Sequence, residues 1–124
     1  MGIYGDTNIF SMLRRIGVGN QQVMHTCTFT SAGAGAPTVD AAKTRGPIAV
    51  ARTGVGTFTI TLPKALKNVV VLASIASGGE SLDIQANCAE GSATVNVTTV
   101  ANGTATATDG TGIAYNFVII GTQR

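Results

Sequence analysis

Residues 57–62 read Thr-Phe-Thr-Ile-Thr-Leu. Strict alternation of apolar and polar side chains is the period of a strand with one buried face. It sets Phe58, Ile60 and Leu62 on one side and Thr57, Thr59 and Thr61 on the other. The same period recurs where Val23, His25, Cys27 and Phe29 interleave with Met24, Thr26, Thr28 and Thr30, and again at Leu82, Ile84, Ala86 and Cys88. Residues 93–101 and 113–120 read as further strands, and 47–52 and 104–108 as short ones. Residues 68–76 (NVVVLASIA) form a continuous apolar run. Its consecutive valines favour strand over helix, and its length suits a strand covered on both faces. Gly54-Val55-Gly56, Gly78-Gly79, Asn102-Gly103 and Asp109-Gly110 supply turns. Residues 31–37 (SAGAGAP) read as a small-residue loop, and Pro63, which has no N–H to donate, as the end of the strand before it. Six long strands and two short ones, spaced near ten residues apart, predict an all-β fold: an antiparallel, jelly-roll-like β-sandwich over residues 23–124.

Residues 1–22 have a different texture. Ile9, Met12, Leu13 and Ile16 lie on one stripe of a 3.6-residue period, with Thr7 or Asn8 placed to cap the start. Arg14 and Arg15 complement the last turn and Gly17 can end it. So short a helix does not hold alone in water and must dock. Phe10 sits off the stripe, so one intramolecular contact does not account for all the apolar residues. We therefore expect a contact arm with Ile9, Phe10, Met12, Leu13, Arg14, Arg15 and Ile16 facing a partner.

Composition narrows the classes of function. Charged residues are 11% of the 124, against about 25% in ordinary soluble domains, and mean hydropathy is +0.31. Such a chain hides surface in an assembly or covers it with neutral polar groups, and Thr and Gly supply those here. A net charge of +2 with no basic run longer than Arg14-Arg15 argues against nucleic acid. No stretch has the apolar length of a membrane span or the pattern of a secretory signal. Without an export signal, Cys27 and Cys88 are expected as free thiols.

Catalysis needs titratable groups in company, and few are present. His25 is the single histidine. His25 and Cys27, two apart on a strand, share a face and are the one candidate catalytic pair; the simpler reading is a half-buried strand histidine. Glu80 and Asp83 flank a turn without an ordered ligand loop, and Asp109-Gly110-Thr111-Gly112 lacks the acidic positions a calcium loop needs. Gly33-Ala34-Gly35 and Gly54-Val55-Gly56 are not followed by the Lys-Ser/Thr of a phosphate loop. The expectation is a non-enzyme with no catalytic residues, metal, cofactor or small-molecule substrate, whose surfaces carry the function.

The run Ala51-Arg52-Thr53-Gly54-Val55-Gly56-Thr57-Phe58-Thr59-Ile60-Thr61-Leu62-Pro63-Lys64-Ala65 resembles a recurring stretch in small tailed-bacteriophage virion proteins. There an Arg-Thr-Gly-x-Gly opener precedes an aromatic and aliphatic alternation. An apolar run, an Asp-containing strand (here Leu82-Asp83-Ile84-Gln85) and a closing aromatic strand (here Ala114-Tyr115-Asn116-Phe117-Val118-Ile119-Ile120) then follow. The similarity covers about residues 47–124 and leaves the arm unmatched. It implies a jelly-roll-like homotrimer, made in the host cytoplasm, that decorates the capsid surface and binds the major capsid protein or another virion protein. We expect subunit contacts around Thr57, Thr59 and Thr61. The alternatives are a tail, baseplate or fibre-tip module, with residues 31–37 and 102–112 as contact loops, and an exported adhesin or pilus-like subunit with a Cys27–Cys88 bridge.

Overall fold

The computed structural model describes residues 21–77 and 82–123. Seven strands run in chain order: β1 (Gln21–Ala32), β2 (Gly35–Val39), β3 (Ala49–Gly54), β4 (Thr57–Ser77), β5 (Leu82–Cys88), β6 (Ser92–Ala101) and β7 (Thr111–Gln123). Every pairing is antiparallel, in the order β2-β1-β7-β4-β6-β5, with β3 also on β4. The all-β antiparallel fold expected from the alternation is present.

β4 organises the fold. Its first part pairs with β3 and β6, and its second part with β7. The transfer shows as two register shifts. Thr61 faces Thr94 while Leu66 faces Ser92, and then Lys67 faces Thr122 while Val70 faces Ile120. Pro63 lies in the first shift and Asn68, with φ 52°, in the second. A proline placed where the ladder is already interrupted removes no ladder hydrogen bond, and Asn is among the residues that tolerate the left-handed region. The chain therefore continues through Pro63, and the two strands expected at 57–62 and 68–76 are one strand of 21 residues.

Two further boundaries differ from expectation. Residues 31–37 are not a loop: Gly33-Ala34 makes a tight turn, Ala32 faces Gly35, and β2 returns along β1. Residues 104–108 contribute one isolated bridge, Val100↔Ala107, so among the described residues no eighth strand forms.

The two parts of the sheet joined by β4 share one hydrophobic core. Phe29 on β1 stacks on Phe117 of the adjacent β7, with centroids 5.4 Å apart and an interplanar angle of 7°. It also meets Phe58, on the first part of β4, at 5.1 Å and 51°. β1 and that part of β4 are not ladder neighbours, so this contact closes the core. Tyr115 completes the group, 5.3 Å from Phe29 and 6.2 Å from Phe58. Ile60, Leu62, Leu66, Val95, Val97 and Ile119 surround the rings, all buried. Offset and tilted aromatic pairs at these separations add to the area they remove from water.

Candidate functional site

His25 and Cys27 point inward. Cys27 is buried, and burial pushes its thiol up, opposed in part by a hydrogen bond from Thr44. A raised thiol carries little thiolate at neutral pH, the opposite of an activated nucleophile. His25 is half-buried, opposite Ile119, which in turn faces Val71, and its Nε2 has no hydrogen-bond partner. Cys88 sits on β5, half-buried, with its thiol also raised by burial; both cysteines are free. Of the two carboxylates that flank a turn without a ligand loop, Asp83 is exposed on β5 and Glu80 lies outside the described residues. No group of three His, Cys, Asp or Glu fit to hold a metal occurs among the described residues.

A carboxylate read as an ordinary turn residue holds two segments together. Asp109 accepts from Arg52 Nε at 3.1 Å and Nη2 at 2.6 Å, and its Oδ1 accepts the Gly56 N–H at 2.8 Å. The loop before β7 is thereby fastened to the β3–β4 turn. The Thr108 N–H donates to Thr99 O at 2.9 Å, and the Thr99 N–H to Gly56 O at 2.7 Å, in the same place. The Arg52 guanidinium, and after it the Gly56 N–H, holds the Asp109 carboxyl below the usual carboxylate range. A depressed carboxylate contributes stability above its unfolded value of about 3.9, and that stability is lost as pH falls through the folded value. Asp109→Asn should therefore lower the melting midpoint by a few degrees at pH 7, and the gap to the parent should close as pH falls below about 4. Thermal unfolding followed by circular dichroism across pH 7 to 2.5 (about 0.5 apart) checks it; a gap independent of pH would show that the charge is not what matters.

The outer faces are where the molecule meets its surroundings. On the part built from β3, β4, β6 and β5, Thr57, Thr59 and Thr61 stand opposite Thr98, Asn96 and Thr94. Gln85 and Asn87 extend the first two rows onto β5. Thr57 and Thr59 are half-buried and Thr61 is exposed. These rows are hydroxyls and amides without a charge. Neutral groups of this kind cost less to desolvate than charges when another surface covers them.

The other outer face differs in character. Met24, Ile120 and Val70 form one cross-strand row, and Thr26, Val118 and Leu72 the next. Met24, Val70 and Leu72 are 61%, 52% and 58% exposed, so three of the four exposed large hydrophobics among the described residues lie together here; Val55, on the β3–β4 turn, is the fourth. The run 68–76 is thus covered on its inner face alone among the described residues. The third row, Thr28, Asn116 and Ser74, is polar, with Thr28 Oγ1 donating to Asn116 Oδ1 at 2.8 Å. The sequence signalled this patch as excess hydrophobicity in 68–76, but periodicity does not say which face stays uncovered.

The arm residues Ile9, Phe10, Met12, Leu13, Arg14, Arg15 and Ile16 lie outside the described residues; β1 begins at Gln21. Comparison of the chain with protein-family models, with curated proteins and with solved structures finds no match.

Proposed function

We propose that this chain is a non-enzymatic structural protein of a tailed-bacteriophage virion, a capsid decoration or cement subunit that bridges shell proteins. The observation that carries the reading is the pair of outer sheet faces, one Thr/Asn/Gln and one apolar, in a chain with 11% charged residues. Such faces suit permanent burial in an assembly better than life in solvent. The inward placement of His25 and Cys27 and the raised Cys27 thiol support a role without nucleophilic chemistry. The likeness of residues 51–65 to phage virion proteins gives the assembly its class.

The mechanism is linkage. A decorating subunit with several copies at a junction touches several shell proteins at once, and each further contact forms at the high effective concentration set by the first. Binding the assembled shell and not its dissociated parts stabilises the shell by mass action. The Ile9–Ile16 stripe with Arg14 and Arg15 is the proposed shell-facing element, and the threonine rows the surface that packs in the lattice.

Immunogold labelling of purified particles from the phage that encodes this chain tests the reading. Label distributed over the shell is the expected result. Label confined to the tail tip would replace decoration with the fibre-tip alternative, and particles without label would remove the virion assignment.

A further inference from the structure

The sheet edge at β1 is closed. Beyond the short β2, the Asp40 N–H donates to Thr28 O at 2.8 Å and the Arg45 N–H to Thr26 O at 2.9 Å, so residues 40–45 continue along β1 where β2 stops. Lys43 and Arg45 are exposed on that segment, and charge of this kind discourages further strand addition. At the opposite edge, the second part of β4 pairs with β7 on one side, and no ladder partner lies on its other side among the described residues. From Asn68 to Ser77 that edge carries no charge and no proline. Its outward residues include the exposed Val70 and Leu72, and its inward residues Val69, Val71, Ala73 and Ile75 are half-buried against the core. A long apolar edge without charge or proline, and without cover among the described residues, is a template for another strand.

We infer that this edge is a self-association surface on which β4 of a second copy of this chain pairs antiparallel about a two-fold axis at Val71. The inference is independent of the virion reading. A two-fold pairing sets each residue opposite one on the same face of the sheet. Centring on Val71 puts Val70 opposite Leu72 of the partner and Leu72 opposite Val70 of the partner, which joins the exposed apolar side chains in two cross-strand pairs. Centring on Leu72 instead would set each Val70 against a Ser74. In the Val71 register, Val69 faces Ala73 and Val71 faces itself on the inner side. The one charged side chain at the start of the pairing segment, Lys67, lies at opposite ends in the two copies, so like charges do not meet. An identical uncharged edge is thus complementary in backbone, in apolar side chains and in charge. The product is a dimer with a sheet continuous across the axis, where the family resemblance implies a trimer.

The test is the solution mass of the full-length protein by light scattering after size exclusion, with far-UV circular dichroism as the folding control. The parent should run at twice the 12.5 kDa chain mass. Val70→Lys/Leu72→Lys sets lysine against lysine twice and should weaken the dimer about tenfold or more. Val70→Lys/Leu72→Glu sets lysine against glutamate in both pairs and should restore it. Met24→Lys, on the same face but two strands from the edge, should leave the dimer intact. A parent that is monomeric or trimeric, a dimer indifferent to the double-lysine change, or loss of the dimer in Met24→Lys would each overturn the inference. Should the double-lysine protein fail to fold, the Lys/Glu protein decides alone: a dimer supports the Val71 register and a folded monomer rejects it. None of these results bears on where the protein sits in a particle, which the immunogold experiment reads separately.

Discussion

Phe29→Ala is expected to cost about 3–5 kcal/mol, a large part of the roughly 5–15 kcal/mol that holds a single domain folded. The ring is fully buried and touches three others: Phe117 on the neighbouring strand, Tyr115 beside it, and Phe58 across the core. Truncation loses the transfer free energy of the ring. It also leaves a cavity that the ordered strands around it fill only in part. Phe29→Leu keeps most of the apolar volume and should cost less than half as much. Met24→Ala, five residues away on the exposed face of the same strand, should stay within about 0.5 kcal/mol. Urea unfolding of the three variants checks the ordering. If Met24→Ala matched Phe29→Ala, the core would not lie where the rings place it.

The alternation that placed Phe29 inward also placed Cys27, Phe58, Ile60 and Leu82 correctly, because a half-buried strand writes its period into the sequence. Elements without side-chain periodicity were not legible. β2 is built on Gly35, Ala36 and Pro37, which carry no strand pattern, yet the ladder uses backbone groups and an edge position admits a proline. Pro63 was misread for a related reason: a proline ends a strand only if its missing N–H would have been used, and at a register shift it is not. The Arg52–Asp109 pair joins residues 57 apart, and no local pattern announces such a partner. The apolar run at 68–76 was legible as strand, but a one-dimensional pattern does not show which face remains open. That open face and edge are set by strand order, which no local stretch of sequence encodes.

Gly56→Ala is the second large effect. Gly56 closes the β3–β4 turn at φ +62°, a region that costs a residue with a Cβ about 1–2 kcal/mol. Space is the heavier constraint. A Cβ there would lie 2.6 Å from the Thr108 N, 2.7 Å from the Thr99 O and 2.8 Å from the Thr108 O, all backbone atoms of ordered segments. To admit a methyl group, the turn must back away from β6 and from the loop before β7. That movement stretches the Thr99 N–H bond to Gly56 O and the Gly56 N–H bond to Asp109 together. With each such bond contributing about 1 kcal/mol, the expected total is about 3–4 kcal/mol. Gly103 supplies the control: its φ is +74°, similarly left-handed, but a Cβ there meets nothing within 4 Å. Gly103→Ala should therefore show the conformational cost alone, about 1–2 kcal/mol. The difference between the two urea midpoints isolates the close approach of the β3–β4 turn to the loop that Asp109 fastens. Equal losses at the two glycines would mean that this turn does not pack against Thr99 and Thr108. Gly56→Ala should also reduce the pH dependence that Asp109 imposes, since the turn that donates to its carboxylate would have moved.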